Sequence, residues 1–576
     1  MTTTTPITTE VAIVGAGPSG MMLAIELGVR GIPCVLVDKL IDPPKFPKAN
    51  ATSARTMEHY RRRGFAQEIR ALGLEPTHPQ DVMYCTRLSG HELARFRMPT
   101  REEARLRTAF GDMGEHAWPT PELPQRAQQM FIEPVLRKQV ARHTSVTALY
   151  GWEATQVNDS PAQAQLLAKH VHDDRTVSIQ ARYIVGCDGP RSMVRHSMGA
   201  QFEGASQEQR NFFGGQMLSI HFRSPDLYAK LQQGPLHRRA WQSWLVNPEL
   251  RGLLVAVNGV DLFNMGIQLK PGQGPDDVNL PWIFDTLTGI SPAPFNYQIL
   301  NVGTWTAGYT LVCDKYREGH LFIAGDAAHL FTPTGGMGYN TSVDDAVNLG
   351  WKLAAVCQGW APDGLLDTYA TERRPIAHRN TSFARRMAQS IGLVPIDAQV
   401  ESNSELGEEK RKQLGAALLL HAQTEFNIPG LQLGLRYESE IIAKDAASPP
   451  PDEPNVYVPT GYPGARAPHL DTKEPERSLM DLFGKDFTLL ALSPNAPRQK
   501  WETRAQMLGL PLVFLEFLDP NARQLYGADL VLIRPDHHIA WRGGFDANAE
   551  NILATAVGQG LGAEPKTVHP NMLSTS

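Results

Sequence analysis

The sequence predicts an α/β protein in which a doubly wound nucleotide-binding domain carries an inserted β-rich domain and precedes a thioredoxin-like C-terminal domain. The first domain is indicated by a βαβ unit, with strands at residues 10–15 and 33–38 and a helix at 18–29. Alternating apolar stretches broken by Gly, Pro and Asn between residues 200 and 301 predict the inserted antiparallel sheet. A βαβ–hairpin–helix order after a proline-rich linker at 448–455 predicts the third domain.

The predicted C-terminal domain has the order of a thioredoxin fold but no cysteine, since none follows Cys357. We therefore expect a scaffold without redox chemistry. Its predicted strands are residues 486–492, 511–516, 530–534 and 538–542, and its predicted helices are 498–508 and 548–558. The predicted domain boundaries are 1–78, 118–200 and 301–395 for the nucleotide-binding domain, 79–117 and 201–300 for the β-sheet domain, 396–460 for a helical connection and linker, and 461–576 for the thioredoxin-like domain.

Composition excludes several classes of protein. The chain has 576 residues, 42% hydrophobic and 20% charged, with a net charge of -5, so a nucleic-acid partner or an anionic membrane surface is not expected. The Thr-rich residues 1–9 lack the features of a secretory signal, and no apolar run approaches a membrane span. The five cysteines are scattered without metal-ligand spacing, which favours a reducing, cytoplasmic location and no bound metal.

A glycine motif follows the first predicted strand. Gly15, Gly17 and Gly20 form G-x-G-x-x-G between a strand and a helix, and Asp38 ends the second strand. These glycines permit a tight turn, close approach of a pyrophosphate and close helix–strand packing, while the acid accepts hydrogen bonds from ribose hydroxyls. The alternative is a glycine-rich turn that binds no nucleotide.

Two further strands end in glycine and aspartate. The strand within residues 183–195 ends near Gly186 and Asp188, and the strand at 321–324 ends in Gly325-Asp326. A Pro/Gly-rich loop follows the latter, and a helix is predicted to start near Asn340. Backbone N–H groups at a helix N-terminus suit an anionic group, so we expect a second anion site there.

These three segments resemble the fingerprints of the para-hydroxybenzoate hydroxylase class of FAD-dependent aromatic monooxygenases. Residues 340–353 and 371–375 (NTSVDDAVNLGWKL and TERRP) are similar to its phenol-hydroxylating branch, which includes 2-hydroxybiphenyl 3-monooxygenase and 2,4-dichlorophenol 6-monooxygenase. Residues 463–469, 482–484 and 532–535 also resemble that branch, so the resemblance covers nearly the whole chain.

The resemblance implies hydroxylation of a phenolic ring by FAD, NADPH or NADH, and dioxygen, through a flavin C4a-hydroperoxide. It further implies a set of cofactor-binding positions: Gly15, Gly17, Gly20, Asp38, Arg55, Gln129, Asp188, Arg195, Gly325, Asp326, Gly336, Gly338 and Asn340. The loop from Pro333 to Asn340 would run past the flavin pyrimidine, and Pro333 is a candidate catalytic residue within it. We also expect a homodimer.

One position departs from the branch. Asn50 stands where the hydroxybiphenyl-type enzymes have a histidine, and an amide cannot act as a base. We therefore predict that Asn50 donates a hydrogen bond near the substrate while Tyr339 handles the proton. The alternative is that Asn50 only caps the helix that contains Arg55.

Other side chains and functions remain open at this point. Trp241, Trp244 and Phe263 could line a substrate pocket or pack in the core of the sheet, and residues 61–63 (RRR) are interpreted as a solvated helix end. His329 is interpreted as orienting the backbone. Alternative functions are a flavin-linked dehydrogenase, a monooxygenase of polycyclic or ketone substrates, and a non-catalytic dinucleotide sensor.

Overall fold

The structure, a computed structural model, describes residues 6–206, 208, 210, 212–232, 239–290 and 295–561. Most of the predicted polar N-terminus (residues 1–5) and the end of the predicted third domain (562–576) lie outside the described residues. No helix of the described part is long and apolar enough to cross a membrane. No group of three or more His, Cys, Asp or Glu side chains in that part is placed to hold a metal ion.

Residues 6–205 form nine strands and six α-helices. The strands are β1 (Ile7–Val14), β2 (Cys34–Asp38), β3 (Val82–Cys85), β4 (Glu92–Phe96), β5 (Val146–Tyr150), β6 (Trp152–Asp159), β7 (Ala164–His170), β8 (Thr176–Gly186) and β9 (Phe202–Ala205). The helices are α1 (Pro18–Gly28), α2 (Ala54–Arg62), α3 (Ala66–Arg70), α4 (Arg101–Leu106), α5 (Gln129–Val140) and α6 (Met193–Ser197).

The middle of the chain supplies most of a second sheet and the longest helices. Its strands are β10 (Gly215–Arg223), β11 (Gln242–Val246), β12 (Arg251–Ala256), β13 (Leu262–Gln268), β14 (Gln298–Ala307), β15 (Thr310–Cys313), β16 (Arg317–Glu318), β17 (Leu321–Ile323) and β18 (His329–Leu330). Its helices are α7 (Leu227–Gln232), α8 (Leu280–Thr288), α9 (Met337–Cys357), α10 (Thr368–Leu393), α11 (Glu405–Phe426) and α12 (Pro429–Leu433).

The nucleotide-binding sheet has the strand order β16-β17-β8-β1-β2-β5, and β17, β8, β1, β2 and β5 run parallel. The buried, β-branched residues of β1 explain its central place in the sheet. Parallel strands end at the same edge, so the turns after β1, β8 and β17 come together. The predicted doubly wound fold is confirmed.

A seven-stranded sheet, in the order β14-β10-β13-β12-β11-β3-β4, forms the inserted β-rich domain. It is antiparallel except where β3 joins β11 in parallel. One face packs in a core with α7 and α8, and Phe263 lies there. The opposite face, which we call the inner face, carries Trp241 and Trp244 and packs against α10 and α11. The two tryptophans and Phe263 therefore do not share one pocket.

The C-terminal sheet consists of β19 (Phe487–Ala491), β20 (Leu512–Glu516), β21 (Leu530–Ile533) and β22 (Ile539–Gly543). Its strand order is β20-β19-β21-β22. β19 and β20 are parallel, and β21 and β22 are antiparallel additions. Helices α13 (Arg498–Met507), α14 (Pro520–Tyr526) and α15 (Ala549–Ala556) complete it. This is the predicted thioredoxin-like order, with α14 as an additional helix whose N-cap is Asp519.

The C-terminal domain is docked on the nucleotide-binding domain through buried ions. Arg61 and Arg62 belong to this contact, and Arg63 is buried beside it, so the prediction of a solvated helix end at residues 61–63 is wrong. Arg62 and Arg63 both pair with buried Glu26, and Arg62 also donates to the Pro535 carbonyl. A buried charged group is stable only when it is paired and hydrogen-bonded, and Glu26 and the two arginines satisfy this requirement through these contacts.

A second buried pair at this contact predicts sensitivity to acid. Arg466 Nε donates to Glu58 Oε2 at 2.9 Å, and Arg55 donates to the same oxygen at 3.0 Å. Burial alone would raise the pKa of Glu58, but the two arginines lower it to about 2 from an ordinary 4.5. A lowered folded-state pKa stabilises the fold above the unfolded value, and that stabilisation is lost as the pH falls toward the folded value.

We therefore expect Glu58 to contribute up to about 3 kcal/mol near neutral pH, lost between about pH 4.5 and pH 2. Urea unfolding of the parent and of Glu58→Gln across this range measures the contribution. The variant should lose less stability than the parent on acidification. If the free energy of unfolding fell by the same amount in both proteins between about pH 4.5 and pH 2, the assignment would be contradicted. The test compares how the free energy of each protein changes with pH, so the two proteins need not be equally stable at neutral pH.

Candidate active site

The turn between β1 and α1 leaves an open cradle. A Cβ on Gly15 (φ +101°) would lie 2.3 Å from the Cys187 carbonyl oxygen, and one on Gly20 would lie 1.9 Å from the Gly15 oxygen. A Cβ on Gly17 would meet nothing within 4 Å. Gly17 also precedes α1 without any side-chain cap, so the first N–H groups of the helix face this open space. The cradle therefore fits an anionic group such as a diphosphate.

Asp38 lies beside this cradle at the end of β2. Its Oδ2 accepts a hydrogen bond from the Ala16 amide at 2.5 Å, and its Oδ1 accepts one from the Leu40 amide at 2.7 Å. The carboxylate thus fixes the glycine turn. Each oxygen keeps acceptor capacity for a further donor such as a ribose hydroxyl.

The turn after β17 lies beside the cradle at the start of α1. A Cβ on Gly325 would lie 3.2 Å from Ser19 Cβ and 3.1 Å from Ser342 Oγ, so this turn lies between the starts of α1 and α9. The Asp326 side chain faces open space, yet burial raises the pKa of its carboxyl. A solvent-accessible carboxyl group surrounded by this much protein lies in a recess, which we call the Asp326 cleft.

We expect Asp326→Ala to weaken FAD binding about tenfold, because a carboxylate acceptor inside the cleft is lost. Flavin fluorescence titration of the apoprotein measures this. Asp314→Ala, a substitution of another aspartate in the same region of the chain, is the matched control. Unchanged affinity in Asp326→Ala would contradict a cofactor contact by this residue.

The loop before α9 ends in two glycines with left-handed backbone, Gly335 and Gly336 (φ +64° and +65°). Gly336 is the N-cap of α9 and offers no side-chain cap, so a second helix N-terminus stays open. α9 starts at Met337, three residues before the predicted start, because the left-handed glycine lets the chain turn into the helix earlier. Pro333 in this loop is exposed.

Asn340 joins this loop to the segment before α2. Its Oδ1 accepts from the Ser53 amide at 2.8 Å, and its Nδ2 donates to the carbonyls of Ala51 (3.0 Å) and Gly336 (2.6 Å). Both ends of the amide are therefore bound to the protein, and Asn340 positions the loop rather than reaching out to a cofactor. Gly338, the second residue of α9, faces the ring of Phe331 in this loop: a Cβ on Gly338 would lie 3.5 Å from Phe331 Cδ2.

Asn50 lies next to this junction and is half-buried. Its neighbour Ala51 is so close to the loop that a Cβ on Gly336 would lie 3.0 Å from the Ala51 Cβ. The helix-cap alternative for Asn50 is wrong, because Ser53 is the N-cap of α2 and accepts from the Thr56 amide at 3.1 Å. Ala51 also packs against the core of the inner face.

Tyr339 turns away from the inner face. Its ring packs against the core of the nucleotide-binding domain, and its hydroxyl is hydrogen-bonded to the Tyr60 hydroxyl. Burial, together with the neighbouring Tyr60, raises the pKa of Tyr339 well above its ordinary value. A hydroxyl that stays protonated cannot accept a proton at neutral pH, so the geometry disfavours the proton role predicted for Tyr339.

Arg55 and Gln129 are held by the protein. Arg55 donates to Glu58 and, at 2.6 Å, to the Asp536 carbonyl of the C-terminal domain. Gln129 is the first residue of α5 and donates to Glu133 at 2.6 Å. The guanidinium of Arg55 is thus bound between two parts of the protein, and this placement does not favour the flavin contact predicted for it.

Asp188 and Arg195 stabilise the turn after β8 through hydrogen bonds to its backbone. Asp188 Oδ2 accepts from the Met193 amide at 2.7 Å, while its buried Oδ1 has no partner among the described residues. Arg195 donates to the Pro190 carbonyl at 2.9 Å and to the Ala327 carbonyl at 3.2 Å. Arg195 thereby ties this turn to the one after β17.

His329, Asp345 and Arg373 form a buried triad beside the turn after β17, and only His329 was interpreted from the sequence. His329 Nε2 lies 2.6 Å from Asp345 Oδ2, which also accepts the Gly325 amide at 3.1 Å, and Arg373 Nε donates to Asp345 Oδ1 at 2.7 Å. This agrees with the backbone-orienting role interpreted for His329. The sequence signal was the pair of adjacent aspartates in an otherwise buried helix.

Comparison with known families decides the identity of this framework. A family model described as FAD binding domain matches residues 8–384, and one described as aromatic-ring hydroxylase, C-terminal, matches residues 460–563. The chain belongs to the FAD-dependent aromatic-ring hydroxylases. It is a monooxygenase with FAD as its cofactor.

Individual relatives agree with this family. The chain is 30% identical to aklavinone 12-hydroxylase RdmE of Streptomyces purpurascens, over 92% of this chain and 95% of the relative. It is 28% identical to 2,4-dichlorophenol 6-monooxygenase of Delftia acidovorans, over 93% and 95% of the two chains. The structure of chromopyrrolic acid-soaked RebC with bound 7-carboxy-K252c matches with a TM-score of 0.85 and 28% identity, over 96% of this hydroxylase and 100% of that chain.

Proposed function

We propose that this hydroxylase inserts one oxygen atom of dioxygen into a phenolic ring at the expense of NADPH or NADH. One observation carries the proposal. The cradle at Gly17, the Asp326 cleft and the uncapped start of α9 lie together, next to the inner face of the β-rich domain. The name of the dichlorophenol relative supports a phenolic substrate.

In this proposal the cradle at Gly17 holds the FAD diphosphate against the N-terminus of α1. Asp38 would accept from the adenosine ribose, and Asp326 would bind the ribityl or diphosphate region of FAD. The N-terminus of α9 would stabilise negative charge on the flavin pyrimidine. The chemistry that FAD supplies when bound is acceptance of a hydride and activation of dioxygen.

The protein's own contribution is position and exclusion of water. Asn340 holds the loop after Pro333 against the segment of Asn50, so the flavin side and the substrate side keep a fixed distance. The inner face of the seven-stranded sheet, next to this segment, is apolar and aromatic. It is proposed to exclude water from the reacting ring. Asn50 stands at this border and is proposed to donate a hydrogen bond to the substrate.

A polycyclic aromatic substrate is the second candidate. Phe212 and Phe213 pack edge-on around Trp244 at centroid distances of 5.7 and 5.4 Å, and Phe213 reaches Trp305 at 6.5 Å. This aromatic surface is wider than a single ring requires. The name of the aklavinone relative agrees with it.

Oxidation of NADPH and NADH should be measured with a panel of phenols, hydroxybenzoates and hydroxylated polycyclic aromatics. Phenols are expected to stimulate oxygen uptake and to yield hydroxylated products. Stimulation by polycyclic compounds alone would favour the second candidate. Nicotinamide oxidation with no oxygen uptake would favour a dehydrogenase and contradict the proposal. Light scattering on the same preparation tests the proposed homodimer.

A further inference from the structure

Four polar side chains near the inner face have no use in the proposed FAD site. Tyr84 lies on β3, Trp244 on β11, and His421 and Glu425 on α11, and we call them the inner polar cluster. Their exposed fractions are 0%, 3%, 4% and 2%. Each has one fully buried atom without a hydrogen-bond partner among the described residues: Tyr84 OH, Trp244 Nε1, His421 Nε2 and Glu425 Oε2.

Unpaired buried polar atoms are costly, and folded proteins keep few of them. Here four lie in one region. Glu425 is the member that most needs a partner, because it is a buried carboxyl group with which no arginine or lysine pairs within the described part of the chain. Its only ionic neighbour there is His421, with Nε2 at 2.8 Å from Glu425 Oε2 but without hydrogen-bond geometry. Such an arrangement is explained by a ligand that completes it.

The cluster is in direct contact with the loop that precedes α9. Glu425 Oε1 accepts a hydrogen bond from the Gly335 amide at 2.9 Å. The rings of Tyr84 and Trp244 stack with centroids 5.9 Å apart on paired strands. Tyr84 and Trp244 pack in one buried cluster with Leu418, Ala422 and Phe426 of α11, the helix that carries Glu425. Burial raises the pKa of Tyr84 well above its ordinary value, and the neighbouring Glu425 raises it further.

We propose that the inner polar cluster binds the phenolic oxygen of the substrate and that Glu425 accepts the phenolic proton. This inference rests on the proposed function. The O–H bond of the phenol breaks, its electron pair stays on the phenolate oxygen, and the proton bonds to Glu425 Oε2. Nothing is oxidised in this step. Tyr84 O–H and Trp244 N–H donate to the anion, and donors placed for a developing charge stabilise it most in a dry site.

His421 is a positioning residue in this scheme. Its Nδ1 lies 3.1 Å from Ser390 Oγ on α10, which fixes the ring while Nε2 faces Glu425. The groups that face Glu425 are thus His421 on its own helix, the Gly335 amide from the loop and the Tyr84 hydroxyl from the sheet. Phenolate is the more electron-rich form of the substrate, so a group that accepts the phenolic proton promotes hydroxylation.

The test uses the FAD-loaded protein without reduced nicotinamide and two probes whose colour reports ionisation, 4-nitrophenol and 1,2-dihydroxyanthraquinone. At about one pH unit below each probe's own pKa, the probe bound to the parent is expected to show the phenolate spectrum. In Glu425→Gln the bound probe should stay neutral. Glu409→Gln, on the exposed side of the same helix, is the matched control and should behave like the parent.

Tyr84→Phe keeps the inference falsifiable if Glu425→Gln does not fold. The Tyr84 hydroxyl has no hydrogen-bond partner among the described residues, so its removal should not lower the melting temperature but should raise the probe Kd about tenfold. A phenolate spectrum in Glu425→Gln, parental affinity in Tyr84→Phe, or failure of both probes to bind the parent would each overturn the inference. Absence of hydroxylated product from every phenol, with probe binding as expected, would instead overturn the proposed function.

Discussion

Gly17→Ala is expected to fold like the parent and to bind FAD about 100-fold more weakly. The backbone at Gly17 is extended (φ -71°, ψ 180°), which alanine adopts readily, and its Cβ would meet no protein atom within 4 Å. The added methyl group would fill the space beside the open N-terminus of α1, where the diphosphate is proposed to lie. Backbone donors would then lose charge-assisted hydrogen bonds to the phosphates.

Two other glycine substitutions serve as comparisons for Gly17→Ala. Gly303→Ala, on β14, has only the Asn301 amide nitrogen at 3.6 Å and should change neither folding nor FAD affinity. Gly20→Ala would place its Cβ 1.9 Å from the Gly15 oxygen and should fail to fold correctly. Fluorescence titration of apoprotein gives the FAD Kd, and circular dichroism reports the fold. Parental FAD affinity in a folded Gly17→Ala protein would contradict the cradle.

Arg534→Met is expected to destabilise the protein by about 3 to 5 kcal/mol. Arg534 is fully buried and donates to both oxygens of Glu372, at 2.6 and 2.8 Å, and to Asp536 at 3.1 Å. Its removal leaves two buried carboxylates with Lys352, 2.8 Å from Glu372, as the remaining cation of the cluster. An uncompensated buried charge is far more costly than a lost surface pair.

Arg523→Met is the matched control, since Arg523 pairs with Asp529 in the same domain but is 58% exposed. Its loss should cost no more than about 1 kcal/mol. Urea unfolding followed by circular dichroism measures both variants, and flavin release shows whether the nucleotide-binding domain opens at the same time. Equal destabilisation by the two substitutions would contradict a docking role for the buried cluster.

The parts of the fold that the sequence predicted depend on local pattern. The βαβ unit with Gly15, Gly17 and Gly20 combines strand, turn and helix signals within about 30 residues, and such signals are read without knowledge of the rest of the chain. The thioredoxin-like order was recognised in the same way. The start of α9 was misplaced by three residues because the left-handed Gly336 lies inside a loop whose turn type is not evident from composition.

The side chains whose surroundings the sequence did not predict have partners far away in the sequence. Arg55 donates to a carbonyl 481 residues away, and Arg62 to one 473 residues away, so a helix end that looks solvated is covered by another domain. The rotation of α9 decides that Tyr339 faces Tyr60 rather than the inner face. Glu425 escaped notice because a glutamate on a charged, Leu-rich helix is typical of a solvated face.

The proposed function is tested most directly by hydroxylation under dioxygen labelled with heavy oxygen. FAD-loaded protein, reduced nicotinamide and the most stimulating phenol of the panel are incubated, and the product is analysed by mass spectrometry. We predict one heavy oxygen atom per molecule of hydroxylated phenol, with product formed in proportion to nicotinamide consumed. Product that carries only oxygen from water, or nicotinamide oxidation that releases peroxide without product for every phenol, would contradict the assignment.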